Sequence, residues 1–139
     1  MHEITKEKYG VKIVVAGLIS DDEVESAISE LKNIFMQMKG EYCAIVDIRD
    51  CKAVTEKGQK IISEAMMFSR ESEILRSAII VSNPVAAAQY RRMAIESGIY
   101  NRQRYIEASV FENWEELALD WINNGVDPYI KMEISQPAV

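Results

Sequence analysis

The sequence predicts an α/β domain, with a mixed, mainly parallel sheet of about five strands carrying four helices. Three observations carry that expectation. Apolar runs of strand length alternate with segments of helical period. Two of the runs, Ala44 to Ile48 and Ala78 to Val81, are continuously apolar apart from Asp47, as strands covered on both faces are. Capping residues mark the helix starts, and strands alternating with helices imply parallel pairing through right-handed crossovers.

In chain order, Ile4 to Lys8 alternates weakly, Tyr9-Gly10 reads as a turn, and Val11 to Ile19 is a strong strand. The short, charged first member suits the edge of an antiparallel pair. Ser20-Asp21-Asp22-Glu23 is a Ser-x-x-Glu capping box, flanked by Ile19 and Val24 as a hydrophobic staple. The helix behind it stripes Val24, Ala27, Ile28, Leu31, Ile34, Phe35 and Met38 at steps of three and four, and Gly40 ends it. After the strand Ala44 to Ile48, a polar loop from Arg49 to Thr55 leads into a second helix over Glu56 to Ser72. That helix points Ile61, Ile62, Ala65, Met66 and Phe68 inward. Beyond the strand Ala78 to Val81, Ser82-Asn83-Pro84 opens a third helix, with proline at its first position and Gly98 past its end. Tyr105 to Ala108 is a short strand. Asn113-x-x-Glu116 opens the last helix, striped by Trp114, Leu117, Ala118, Trp121 and Ile122 and closed by Gly125.

The 139 residues suit one domain, over residues 1–125, with a C-terminal tail over 126–139. Tyr129 to Ile134 alternates and could pack as a strand or pair with another chain. Hydrophobic residues make up 48% and charged residues 27%, the balance of a globular protein able to bury roughly 70% of its unfolded surface. A net charge of −6 argues against non-specific nucleic-acid binding, which needs a basic surface. Met1 to Gly10 lacks the apolar run of a secretory signal, and no stretch approaches the roughly 20 apolar residues of a membrane span. A cytoplasmic protein is therefore expected. Cys43 and Cys51 lack Cys-x-x-Cys spacing and a nearby histidine, so they read as thiols in a reducing compartment. No metal and no cofactor is expected.

Several of these segments resemble the STAS domain, in particular its SpoIIAA-like branch, over roughly Tyr9 to Asn123. The strand Val11 to Ile19 resembles the family's strand ending in Gly-x-Leu/Ile before the first helix. Ala44 to Asp47 and Ala78 to Val81 match its two central strands. Val110-Phe111-Glu112 followed by Glu115 to Ile122 is similar to the branch's Phe, acidic, Ala and Trp-Leu pattern. Antagonists of the family carry a strand-end aspartate and then Asp-Ser-x-Gly with a phosphorylated serine. Counting from Asp47, the glycine falls on Gly58, the phosphoserine position on Glu56 and the preceding acid on Thr55. Glu56 cannot be phosphorylated. As a carboxylate at a helix N-terminus it could hold the loop in a permanently phospho-like state, or it is an ordinary first-turn acid. Thr55 could accept a phosphate or simply cap the helix.

The resemblance implies a partner surface on the loop and second helix, comprising Asp47, Arg49, Asp50, Thr55, Glu56, Lys57 and Gly58. Asp47, with no second acid or histidine at ligand spacing, reads as a loop clamp. A candidate anion site comprises the helix start at Ser82 and Asn83 with Arg91, Arg92, Arg102 and Arg104, although the last two fall toward the opposite end of the sheet. The alternative is a solvated basic face paired with Glu96 and Glu107. Of the methionines Met36, Met38, Met66, Met67 and Met93, Met36 and Met67 fall off the inward stripes and could mark an interface. No nucleophile, base and acid can be assembled, and His2 sits at the terminus. The expected function is a non-enzymatic STAS-like regulatory module docking another protein or a second copy of itself, without phosphorylation at Glu56. The alternative is a carrier of a small apolar (lipid) or anionic ligand, a role similar to that of lipid-exchange domains. Nucleic acid is not an expected partner.

Overall fold

A computed structural model describes residues 1–51, 55–72, 74–82 and 84–129. The chain forms β1 (His2–Glu7), β2 (Gly10–Val15), α1 (Asp21–Gln37), β3 (Tyr42–Asp47), α2 (Glu56–Glu71), β4 (Ile74–Val81), α3 (Pro84–Ser97), β5 (Gln103–Glu107) and α4 (Trp114–Asn124). The sheet has five strands in the order β1-β2-β3-β4-β5. Only β1–β2 is antiparallel; β2–β3, β3–β4 and β4–β5 are parallel. The mixed, mainly parallel α/β architecture expected from the alternation is the one observed.

Sequential order with right-handed crossovers puts every connecting helix on the same face. Ala44, Ile74 and Ile79 accordingly face α1, α2 and α3, while Cys43, Ile45, Ala78, Ile80 and Ile106 pack beneath α4 on the opposite face. The period-two alternation along β3 and β4 thus feeds two separate cores, which is why both strands read as continuously apolar. Gly10 permits the close approach of β2 to β3. Its φ is +143°, and a Cβ there would stand 2.0 Å from the Cys43 carbonyl oxygen.

The capping residues behave as their chemistry requires, with two adjustments. Ser20 Oγ accepts from Glu23 N at 3.2 Å, and Ile19 and Val24 are buried as the staple predicts. The Glu23 carboxylate, however, pairs with the N-terminal ammonium at 3.2 Å, so only half of the capping box forms. Asn113 makes no side-chain cap hydrogen bond; α4 is secured instead at its far end. There Gly125 is left-handed and donates to Trp121 O, and the Arg76 guanidinium donates to Ile122 O.

The strand limits differ from the sequence reading in an instructive way. β2 stops at Val15, because the chain leaves the sheet through Gly17, whose N–H donates to Asp50 O at 2.8 Å. β4 begins at Ile74 and β5 at Gln103, earlier than their apolar runs begin. Helix α1 ends at Gln37, three residues before Gly40. The expected alternation from Tyr129 onward lies outside the described residues except for Tyr129 itself, which docks on α3 and β5.

Candidate functional site

The apolar stripes of α1 and α2 do not close onto the sheet. Ile28, Leu31, Ile62 and Ala65 stay half-buried although they face inward. Between them and the sheet lies a cavity of about 160 Å³, walled by Ile13 and Val15 of β2, Ala44 and Val46 of β3, and Ile79 of β4. Well-packed cores hold few voids larger than a water molecule. Among the described residues no Lys, Arg, His, Asp or Glu lines this one. Its polar groups are the Cys51 thiol, the Ser69, Ser77 and Tyr90 hydroxyls, and the Gln103 carboxamide. Burial pushes the Tyr90 phenol up to about 12 and raises the Cys51 thiol, so both are neutral near pH 7. Ser77 and Gln103 are register partners across β4 and β5, at the N-terminal end of the parallel strands. Gln103 Oε1 accepts from Tyr105 Oη at 2.6 Å. Ser77 Oγ is buried and has no hydrogen-bond partner among the described residues.

At the opposite end of the sheet stands the loop that follows β3. Asp47 is buried and clamps Arg49: Oδ1 accepts from Arg49 N at 3.2 Å and from Nε at 3.0 Å, and Oδ2 accepts from Nη2 at 2.9 Å. The Asp47 carboxylate raises the Arg49 pKa further, and the guanidinium lies 4.1 Å from the centre of the Trp114 ring. Asp47 therefore does what a loop clamp does. Asp50 receives the Gly17 N–H on its carbonyl, tying the loop to the exit of β2. Thr55 is the N-cap of α2, its Oγ1 accepting from Gly58 N at 3.1 Å and donating to the Asp21 carboxylate. Glu56 and Lys57 are exposed in the first turn and Gly58 is buried. Residues 52–54 of this loop lie outside the described residues.

The arginines are not gathered at one place. Ser82 lies just past the C-terminal end of β4, and Asn83 lies outside the described residues. Arg102, near the other end of the sheet, donates to Ile74 O at 3.1 Å and Arg70 O at 2.6 Å, stitching α2 to β4. Arg104 pairs with Asp127 at 3.2 Å and lies 4.4 Å from the Trp121 ring centre. Arg91 donates to Tyr129 Oη at 3.0 Å, which raises its pKa, and Arg92 is exposed. The acidic partner of Arg104 is thus Asp127, not Glu96 or Glu107. Among the described residues no group of three or more His, Cys, Asp or Glu is placed to hold a metal ion. No helix there is long and apolar enough to cross a membrane.

The sequence matches no protein-family profile and no curated protein. Its structure is similar to an uncharacterized protein of the DUF3478 family with a SpoIIAA-like fold from Shewanella loihica PV-4. The match has a TM-score of 0.62 at 16% identity and covers 88% of this chain and 92% of that one. The chain has a SpoIIAA-like fold. That agreement bears out the resemblance of the strands and the C-terminal helix at the level of architecture, which at this identity is all it shows.

Within the SpoIIAA-like fold, sequence reasoning expected a ligand pocket for the carrier alternative but missed the residues of its polar end. Gln103 is the first residue of β5 and Ser77 the fourth of β4, in strand starts that Arg76, Ser77, Gln103 and Arg104 disguise as loop. A signal was present: Ser77 adjoins an unbroken run of buried-strand residues, where a hydroxyl needs a reason. Of the five methionines singled out, only Met66 lines the cavity. Met93 is buried elsewhere, and Met36 and Met67 are exposed as their off-stripe positions predict.

Proposed function

We propose that this chain is a non-catalytic binding module that carries a small apolar molecule between its sheet and the α1–α2 pair. One observation supports this above the others: a cavity of about 160 Å³, mostly apolar and without a charged side chain among the described residues that line it. Apolar walls of this extent facing water forgo a burial that an apolar ligand would supply. An engineered apolar cavity of about 150 Å³ binds benzene, so the volume suits a single ring or a short branched chain. Three of the four arginines that would have served an anion, Arg91, Arg102 and Arg104, are engaged with Tyr129, carbonyls and Asp127, which favours the apolar cargo over the anionic one.

The test is native mass spectrometry of protein purified gently from the cells that make it, with gas-chromatographic analysis of its organic extract. About one small neutral molecule per chain is expected. An empty extract, together with an unchanged Tm in saturating α-methylstyrene, would contradict the proposal.

A second reading, docking of another protein or of a second copy, is favoured by the exposure of Leu18, Met36 and Met67. In that reading the loop acts without phosphorylation at Glu56. Glu56→Lys or Lys57→Glu then weakens partner capture or self-association while circular dichroism stays unchanged; retained capture counts against it.

A further inference from the structure

We infer that the cavity selects neutral molecules bearing a hydrogen-bond acceptor, which Ser77 and Gln103 receive side by side. This rests on the carrier reading and gives it a ligand class. Three features converge. Ser77 is 2% exposed, lines the cavity, and its Oγ has no partner among the described residues. A buried hydroxyl left unsatisfied is costly, so a group that satisfies it gains more than it would at a wet site. Gln103, 6% exposed, is the residue opposite Ser77 in the β4–β5 register and lines the same cavity. With its Oε1 taken by the Tyr105 hydroxyl, the Gln103 side chain offers its amide hydrogens. One end of a mostly apolar chamber is therefore furnished with two adjacent donors.

The charge of the ligand follows from the walls. Among the described residues no ionised side chain lines the cavity, and the Cys51 and Tyr90 pKa values are both raised by burial. A carboxylate entering it would lose its hydration without gaining a counter-ion. A ketone, aldehyde, ester or amide oxygen on a ring-sized apolar body loses far less and finds its donors waiting. The Tyr90 hydroxyl and Cys51 thiol also line the chamber, so a second polar substituent could be accommodated away from Ser77.

Three molecules of nearly the same shape separate the possibilities: acetophenone (neutral acceptor), α-methylstyrene (its hydrocarbon isostere) and benzoate (an anion). Their affinities are measured by isothermal titration calorimetry on wild type and Ser77→Ala. The expected result is that Ser77→Ala weakens acetophenone about fivefold to tenfold, the net worth of one hydrogen bond. It should leave α-methylstyrene unchanged, and benzoate should bind neither protein. Because the hydroxyl is unpartnered, Ser77→Ala is expected to fold and to raise the Tm of the ligand-free protein. Gln103→Met gives a second reading, since removing the amide donors beside Ser77 should weaken acetophenone but not the hydrocarbon. Equal effects of Ser77→Ala on both neutral probes would mean that water alone serves the hydroxyl, and would overturn the inference while leaving the carrier reading intact. Benzoate binding as tightly as acetophenone would overturn it as well. Binding of none of the three removes both readings together.

Discussion

Asp47 and Arg49 illustrate how a strand-end acid can be wholly occupied by its own loop. The carboxylate is 8% exposed and the guanidinium 35%, so one partner is desolvated and the other still reaches water. Asp47→Ala strands Arg49 above Trp114, but solvent takes up part of the lost hydrogen bonding. The expected loss is about 1–2 kcal/mol in urea unfolding, and less than additive when Arg49→Ala is combined with it. Additive losses would show that the clamp does not act as a unit. Buried tyrosines, Tyr90 and Tyr105 among them, set the alkaline limit. Burial raises the Tyr90 phenol to about 12 and Tyr105 also upward from 10.0, so each folded phenol keeps its proton where the unfolded one has lost it. Their contribution is complete below pH 10 and falls as the pH rises through the folded pKa, at about 1.4 kcal/mol per pH unit for each group. Urea midpoints at pH 9 and pH 11 should diverge for wild type and diverge less for Tyr90→Phe.

Secondary elements were legible wherever a single physical rule decided them. The Ser20 cap, the left-handed Gly125 and the two doubly covered strands follow from hydrogen-bonding and burial rules that act within a few residues. Strand starts were not, because Arg76, Gln103 and Arg104 enter β4 and β5 only when distant carbonyls and α4 are there to receive them. Arg76 reaches Ile122 and Arg104 reaches Trp121 and Asp127, contacts that no local window contains. The candidate site suffered for the same reason: its two donors sit on those hidden starts. Glycines allow a sharp element-level test. Gly10→Ala combines a φ of +143° with a clash against the Cys43 carbonyl, so it should cost at least about 3 kcal/mol or abolish soluble expression. Gly17→Ala and Gly40→Ala, at φ of +78° and +80° with open space around them, should cost only about 1 kcal/mol each. Equal thermal shifts for all three would refute the close approach of β2 and β3.

At the scale of the molecule, the fold divides labour between the two faces of one sheet. Beneath α4 the packing is closed, with Trp121 Nε1 donating to Ser77 O at 3.0 Å and Leu117, Ala118 and Ile122 almost wholly buried. Beneath α1 and α2 it is open, and half-buried helix residues line the cavity. Filling the space should therefore raise stability and lower function together: Ala65→Leu is expected to gain about 0.5–2 kcal/mol while weakening α-methylstyrene binding. Loss of stability without loss of binding would place the ligand elsewhere. The most direct measurement is an NMR titration of methyl-labelled protein with acetophenone, reading intermolecular NOEs from the ring protons. The cavity predicts NOEs to the Leu31, Ile62, Ala65 and Ile79 methyls. NOEs confined to the exposed Leu18, Met36 and Val85 would contradict it.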